Sequence, residues 1–380
     1  MNRERCALTA LFTVHGAVVG TWVGRIPAVK SVADLGYGGL GVALMAMGLG
    51  TFCALPFSGT LLARWSSGRM TGYAAIATCA MLAATGAAAH QGSFAAFLAV
   101  LFAFGGTMGL MDVAMNAHAS ALEQAAGRSI MSSFHAFWSL GTLGAAALGS
   151  WAAGTGLSPL SHFSWAAGTL GLGGWLAWRR LADAPPAAQR SALAWPSAEI
   201  LAIGLVGAAG AIVEGGVADW CGVYLSDHFH AAPSLAAAGY VAFALAMLSG
   251  RLMGDRLLDR LGHGRVLQWG ALLAAVSLAS ALLTPSPLWA IAAFAIAGWG
   301  VSPVFPIAFS LAGKQGGTAP GTAVAVVAAM SYGSGLGGPP VIGFLSEGVS
   351  LPTALWLLVA MCVAMAWLGS RMEAKAALPG

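Results

Sequence analysis

The sequence predicts an all-α integral membrane protein with twelve transmembrane helices in two pseudo-symmetric six-helix bundles, and three observations carry that prediction. Of 380 residues, 58% are hydrophobic and only 8% charged, against roughly 25% charged in a soluble domain. Apolar runs long enough to cross ~30 Å of hydrocarbon as helices recur along the whole chain. The second half then repeats the pattern of the first.

The runs fall at 7–28, 39–62, 71–89, 94–117, 129–153, 161–178, 198–222, 234–254, 266–284, 288–312, 321–346 and 352–370. The first follows "MNRERC" but reads as retained, because it is too long for a signal peptide and carries Trp22 and Arg25 where a cleavage site needs small residues. With the N-terminus inside, fifteen of the seventeen Lys and Arg residues face the cytoplasm, leaving Arg25 and Lys30 outside. The positive-inside rule therefore predicts an inner-membrane protein with both termini cytoplasmic. This distribution also accounts for the net charge of +4 without a nucleic-acid partner.

The five cysteines lack CxxC spacing, and "DHFH" (227–230) has no further ligand nearby, so neither a disulfide framework nor a metal site is expected. The chain has no Walker loop, HExxH or GxSxG, which argues against ATP-driven transport and against an enzyme. No cofactor is expected.

The soluble stretch "RRLADAPPAAQRSALAWPSAE" (179–199) divides the chain into a first bundle at 1–178, a cytoplasmic linker at 179–197 and a second bundle at 198–380. The halves are related by duplication. Trp22-x-Gly24 pairs with Trp220-x-Gly222 at an offset of 198, and "FAFGGTMG" (102–109) pairs with "FAIAGWG" (294–300) at an offset of 192. In the eleventh run "GSGLGGPPVIG" (333–343) reads as close helix packing with a proline break.

The loops repeat as well. "GTLLARWSSGR" (59–69) follows the second run and "GRLMGDRLLDRLGHGR" (250–265) the eighth. These loops resemble the major facilitator superfamily, in which the loop between helices 2 and 3 reads Gly-x-x-x-Asp-Arg-x-Gly-Arg. The second copy keeps Asp259-Arg260-x-Gly262 and adds Asp255-Arg256, whereas the first has Ala63 at the Asp position. The resemblance implies a cytoplasmic charge latch that depends on Asp255, Arg256, Asp259 and Arg260 of the second half.

Two further motifs resemble the fucose-permease-like, sugar:proton symporter branch of that superfamily. "DVAMNA" sets Asp112, Ala114 and Asn116 on its Glu-Thr-Ala-x-Asn-Pro, with Asp for Glu and without Thr or Pro. "SSFHAFWSLG" (132–141) sets His135 on its helix 5 Gln, keeps Phe137 and Gly141, and has Trp138 where the branch has Asn.

The residues themselves point to the same place. Gly105, Met108, Gly109, Asp112 and Asn116 recur three or four apart, so they share one helical stripe, and Ser132, His135, Trp138, Ser139 and Thr142 form a comparable one. Asp112 and His135 fall at similar depth on neighbouring helices. A carboxylate beside an imidazole can exchange a proton near neutral pH, and ionisable groups in a membrane mark function by default. Asp112, His135 and Glu214 are therefore the candidate proton-coupling residues, and His15, Trp22, Asn116, Trp138 and Glu214 the candidate substrate-binding ones. Arg25, at the outer end of the first helix, is the candidate gate partner of Asp219 or Glu214.

The resemblance implies a secondary transporter working by alternating access. The expected substrate is a small polar or amphipathic organic solute, sugar-like in chemistry, moved with protons by a monomer in the bilayer. A proton-antiporting exporter of drugs or metabolites is the alternative, and a non-transporting solute sensor a weaker one. Helix 5 lacks the Gly-Pro pair common in the superfamily's drug antiporters, which favours import.

Overall fold

The computed structural model describes residues 3–126, 130–182, 197–313 and 320–376, and among these every regular element is helical. In chain order they are α1 (Arg3–Val23), α2 (Ile26–Val32), α3 (Tyr37–His90), α4 (Phe94–Ala126), α5 (Met131–Gly154), α6 (Pro159–Trp178), α7 (Ala198–Phe229), α8 (Pro233–Leu283), α9 (Pro287–Val301), α10 (Val304–Gly313), α11 (Pro320–Gly348), α12 (Leu351–Ala354) and α13 (Trp356–Ala376). They correspond to twelve transmembrane segments, because α3 and α8 each carry two and the first, tenth and twelfth segments are each split in two. Nine segments among the described residues are long and apolar enough to cross a bilayer by length and composition alone.

Local chemistry explains where the helices start and bend. Ser158, Ser197, Ser286 and Ser350 each accept the backbone N–H three residues on, and proline opens the first turn of α2, α6, α9 and α12. α3 bends at Ser66 (φ 64°) and α8 at Gly262 (φ 79°). These positions lie 196 residues apart, so the duplication is written in the backbone: Ser66 stands where the loop motif has its glycine and adopts the glycine's left-handed conformation.

Three expectations about individual runs are corrected. The first run ends at Val23 and turns at Gly24-Arg25 before α2, with Pro27 starting the short helix. The tenth run is broken at Ser302-Pro303, where proline supplies no N–H. The proline break expected in the eleventh run does not occur, and Pro339 and Pro340 lie inside one continuous helix. Glycines on either side of that pair leave the backbone room to absorb them.

The chain forms two compact units, one comprising Met1–Ala188 with Ala232–Val241 and the other Gln189–Ala231 with Ala242–Gly380. In unit 1, α1 packs along α5 and α3 along α4. Gly16 and Gly20 of α1 lie against the carbonyls of Trp138 and Thr142, where a Cβ would collide with the partner backbone. Gly50 and Gly105 lock α3 to α4 in the same way, against Phe102 and Met47. Ser150 donates to the Ser234 carbonyl (2.7 Å), tying the start of α8 into this unit. In unit 2 the corresponding pair is α7 with α11, and Ile200, Ile203, Ala308, Ala312 and Val327 form a buried core. Hydrocarbon offers no hydrophobic drive between helices, so such close approaches carry the packing.

Candidate functional site

The backbone contact between α1 and α5 has a chemical consequence. Because Gly16 lets the Trp138 backbone approach, the indole beside it reaches His15, and Trp138 Nε1 donates to His15 Nδ1 at 2.8 Å. Indole is a donor only, so Nδ1 is the acceptor and the proton of a neutral imidazole is on Nε2. Nε2 in turn faces the Met108 carbonyl of α4 at 3.3 Å. One buried histidine thus joins three helices.

A second chain lies beside it. His135 Nε2 donates to Asn116 Oδ1 (3.2 Å), and Asn116 Nδ2 donates both to the Asp112 carbonyl (2.9 Å) and to its carboxylate Oδ1 (3.2 Å). Every donor points one way, with the Asp112 carboxylate as terminal acceptor. The expected meeting of Asp112 and His135 is therefore corrected: Asn116 stands between them, one helical turn beyond Asp112. Phe12 packs edge-on to the His135 ring (5.4 Å) and stacks on Phe134 (5.2 Å). Asp112, Asn116 and Trp138 are half-buried and His135 is exposed.

Two other candidate substrate-binding residues lie in different surroundings. Trp22 is 2% exposed and packs against Phe104 and Phe163 in the interior of unit 1. It belongs to the core, as does its repeat partner Trp220. Glu214 of α7 faces Arg251 of α8, whose Nη2 lies 3.2 and 3.3 Å from the two carboxylate oxygens. The sequence pattern had put Arg251 in a cytoplasmic loop.

Arg25 is 3% exposed and donates through Nη2 to the Leu157 carbonyl. Asp219 is half-buried and ten residues short of the end of α7, which continues to Phe229 beyond the expected limit of the run. Arg256, Asp259 and Arg260 are exposed and form no ion pair among the described residues, and the Asp255 side chain lies outside them. The linker residues 183–196 also lie outside the described residues.

Sequence reasoning missed one cluster entirely. His118 of α4 is fully buried, with Nδ1 2.9 Å from Ser67 Oγ and Nε2 3.2 Å from Glu4 Oε1. It links the start of α1, the bend in α3 and α4, close to where the first loop copy lacks its aspartate. The signal was present in the adjacency of Ser67 to the motif position Ser66, but Glu4 is too distant in sequence to be connected by spacing.

Packed helices with apolar outer surfaces and polar chains inside, and no strand among the described residues, define a multi-pass membrane protein. Comparison with known proteins agrees. Residues 220–377 match the sequence model of the Major Facilitator Superfamily. An uncharacterized MFS-type transporter of Yersinia pestis is 32% identical over 368 residues, covering 96% of this chain and 93% of that protein. The chain belongs to the major facilitator superfamily. Its fold is also that of two solved transporters. A D323A mutant of the nucleoside transporter NupG has a TM-score of 0.79 at 14% identity, covering 97% of this chain and 99% of that one. A D-xylose-proton symporter has a TM-score of 0.75 at 12% identity, covering 96% and 97%.

Proposed function

We propose that this protein is a proton-coupled secondary transporter of a small polar organic solute, sugar-like in its hydrogen-bonding chemistry, working by alternating access as a monomer. We place it in the inner membrane with both termini cytoplasmic and its two bundles at 1–178 and 198–380. The carrying observation is the one-way chain from His135 through Asn116 to Asp112. Asp112 is a half-buried carboxylate held by a neutral amide, so a proton can take the place that a fixed cation takes elsewhere. Glu214 has such a cation in Arg251, which makes it secondary for coupling. The indole of Trp138 beside His15, with Asn116 and His135 near it, combines an aromatic face with donors and acceptors, as hydroxyl-rich solutes require. Two structural neighbours, a nucleoside transporter and a D-xylose-proton symporter, support the same solute class.

Thermal-shift screening of purified protein against pentoses, hexoses, nucleosides, organic acids and cationic drugs should find its ligands among the first three. Flux into proteoliposomes under an imposed pH gradient then tests coupling. Asp112→Asn keeps an acceptor for Asn116 but removes the charge, so ligand binding should survive while proton-driven accumulation is lost. A mutant that accumulates substrate as well as the wild type does would move the coupling site away from Asp112.

A further inference from the structure

Six buried side-chain nitrogen and oxygen atoms among the described residues have no hydrogen-bond partner, and four of them belong to one corner of unit 1: Arg25 Nε, Arg25 Nη1, Trp22 Nε1 and His162 Nδ1. Trp22 lies in the last turn of α1 and Arg25 three residues on, at the start of α2. Trp22 packs on Phe163, the neighbour of His162, and a Cβ at Gly149 would touch both the His162 ring (3.7 Å) and the backbone of Gly24 (3.8 Å), the residue before Arg25. Arg25 is anchored through Nη2 to the carbonyl of Leu157, the residue before the Ser158 N-cap of α6. A guanidinium and an indole can only donate, so Arg25 Nε, Arg25 Nη1 and Trp22 Nε1 bring more buried N–H groups than the one acceptor that a neutral His162 can offer at Nδ1.

The charge balance points the same way. A guanidinium that is 97% removed from solvent, to judge by its residue's 3% exposure, is strongly unfavourable without a counter-charge. No carboxylate among the described residues pairs with Arg25. The first turn of α6 adds the partial positive charge of a helix N-terminus, reinforcing the field that Arg25 creates. One full cation with a partial one is balanced by a single negative charge, and a compact ion suits a corner where α1, α5 and α6 close together at Gly24, Gly149 and His162.

We propose that this corner is a binding site for a compact monovalent anion, either chloride or a small carboxylate of formate size. Arg25 supplies the charge, and Trp22 and His162 supply the neighbouring nitrogens. The bound ion completes the packing of α1 against α6 and lets a buried arginine persist in an apolar unit. This site is separate from the Asp112 chain, so it stands whether or not that chain couples transport to protons.

The test uses the full chain purified in detergent, unfolded thermally in sodium chloride, sodium formate or sodium gluconate at matched ionic strength. Chloride or formate should raise the midpoint saturably over gluconate, which is too large to enter, by on the order of a few degrees, as for any ligand selective for the folded state. Preference between the two names the source of the anion. Arg25→Gln should flatten the response, and His162→Phe should raise the half-saturating concentration several-fold. Equal midpoints in all three salts, or an unchanged response in Arg25→Gln, would overturn the proposal. Should Arg25→Gln fail to fold, wild-type crystals grown in bromide decide. An anomalous peak within hydrogen-bonding distance of Arg25 upholds the site, and an ordered water there in place of bromide refutes it.

Discussion

The two units share a scaffold and differ in their polar interiors. Trp22 and Trp220 are both buried, α1–α5 and α7–α11 are equivalent pairs, and both inter-helix loops bend at a residue with positive φ. Yet unit 1 carries directional chains in which histidines and an amide connect α1, α4 and α5, whereas unit 2 pairs Glu214 of α7 directly with Arg251 of α8. A duplicated bundle keeps what packing demands. Its interior polar residues are free to diverge, since each needs only to satisfy its own hydrogen bonds.

The largest effect that separates the units should come from their first helices. Gly16→Ala would drive a methyl into the Trp138 carbonyl, while a Cβ at Gly215 in α7 meets nothing within 4 Å. Gly16→Ala is expected to cost about 3 kcal/mol or more and to abolish folded yield or lower the melting temperature sharply. Gly215→Ala should be close to neutral. Similar losses in both variants would mean that the close approach of Gly16 to the α5 backbone is not what sets the cost.

The loop bends offer a subtler contrast. Ser66 holds φ 64° without the freedom that Gly262 has at φ 79°. Ser66→Gly should therefore stabilise the protein by ~0.5–1 kcal/mol and Gly262→Ser should destabilise it by about 1 kcal/mol, read as opposite shifts in thermal midpoint. Shifts of the same sign would show that Ser66 gains more from its side-chain contacts than it loses in backbone strain.

The smallest effect concerns the ion pair of unit 2. Glu214 and Arg251 are each about a third exposed (30% and 32%), so solvent screens them and the pair is worth ~0.5–1 kcal/mol. A double-mutant cycle with Glu214→Gln and Arg251→Met should return a coupling energy of that size. A value near zero would make the contact incidental, and a much larger one would place the pair in a drier environment than its exposure implies.

Much of this architecture is legible along the chain because it rests on one-dimensional signals. Run length and apolar content determine that the chain crosses the membrane and roughly where. Offsets of 198 and 192 reveal the repeat, and helical spacing alone puts Asp112 and Asn116 on one face. Tertiary structure decided the remainder, because contacts between distant segments leave no periodic trace. Asn116 takes the place between Asp112 and His135 only when α4 and α5 lie side by side. Glu214 finds Arg251, and Glu4 finds His118, across 37 and 114 residues. Trp22 and Arg25 both look accessible from their position near a helix end. Glycine-mediated approach of α1 to its neighbours buries the first among phenylalanines and seals the second against the carbonyl that precedes α6, since close packing, unlike hydropathy, is a property of pairs of helices.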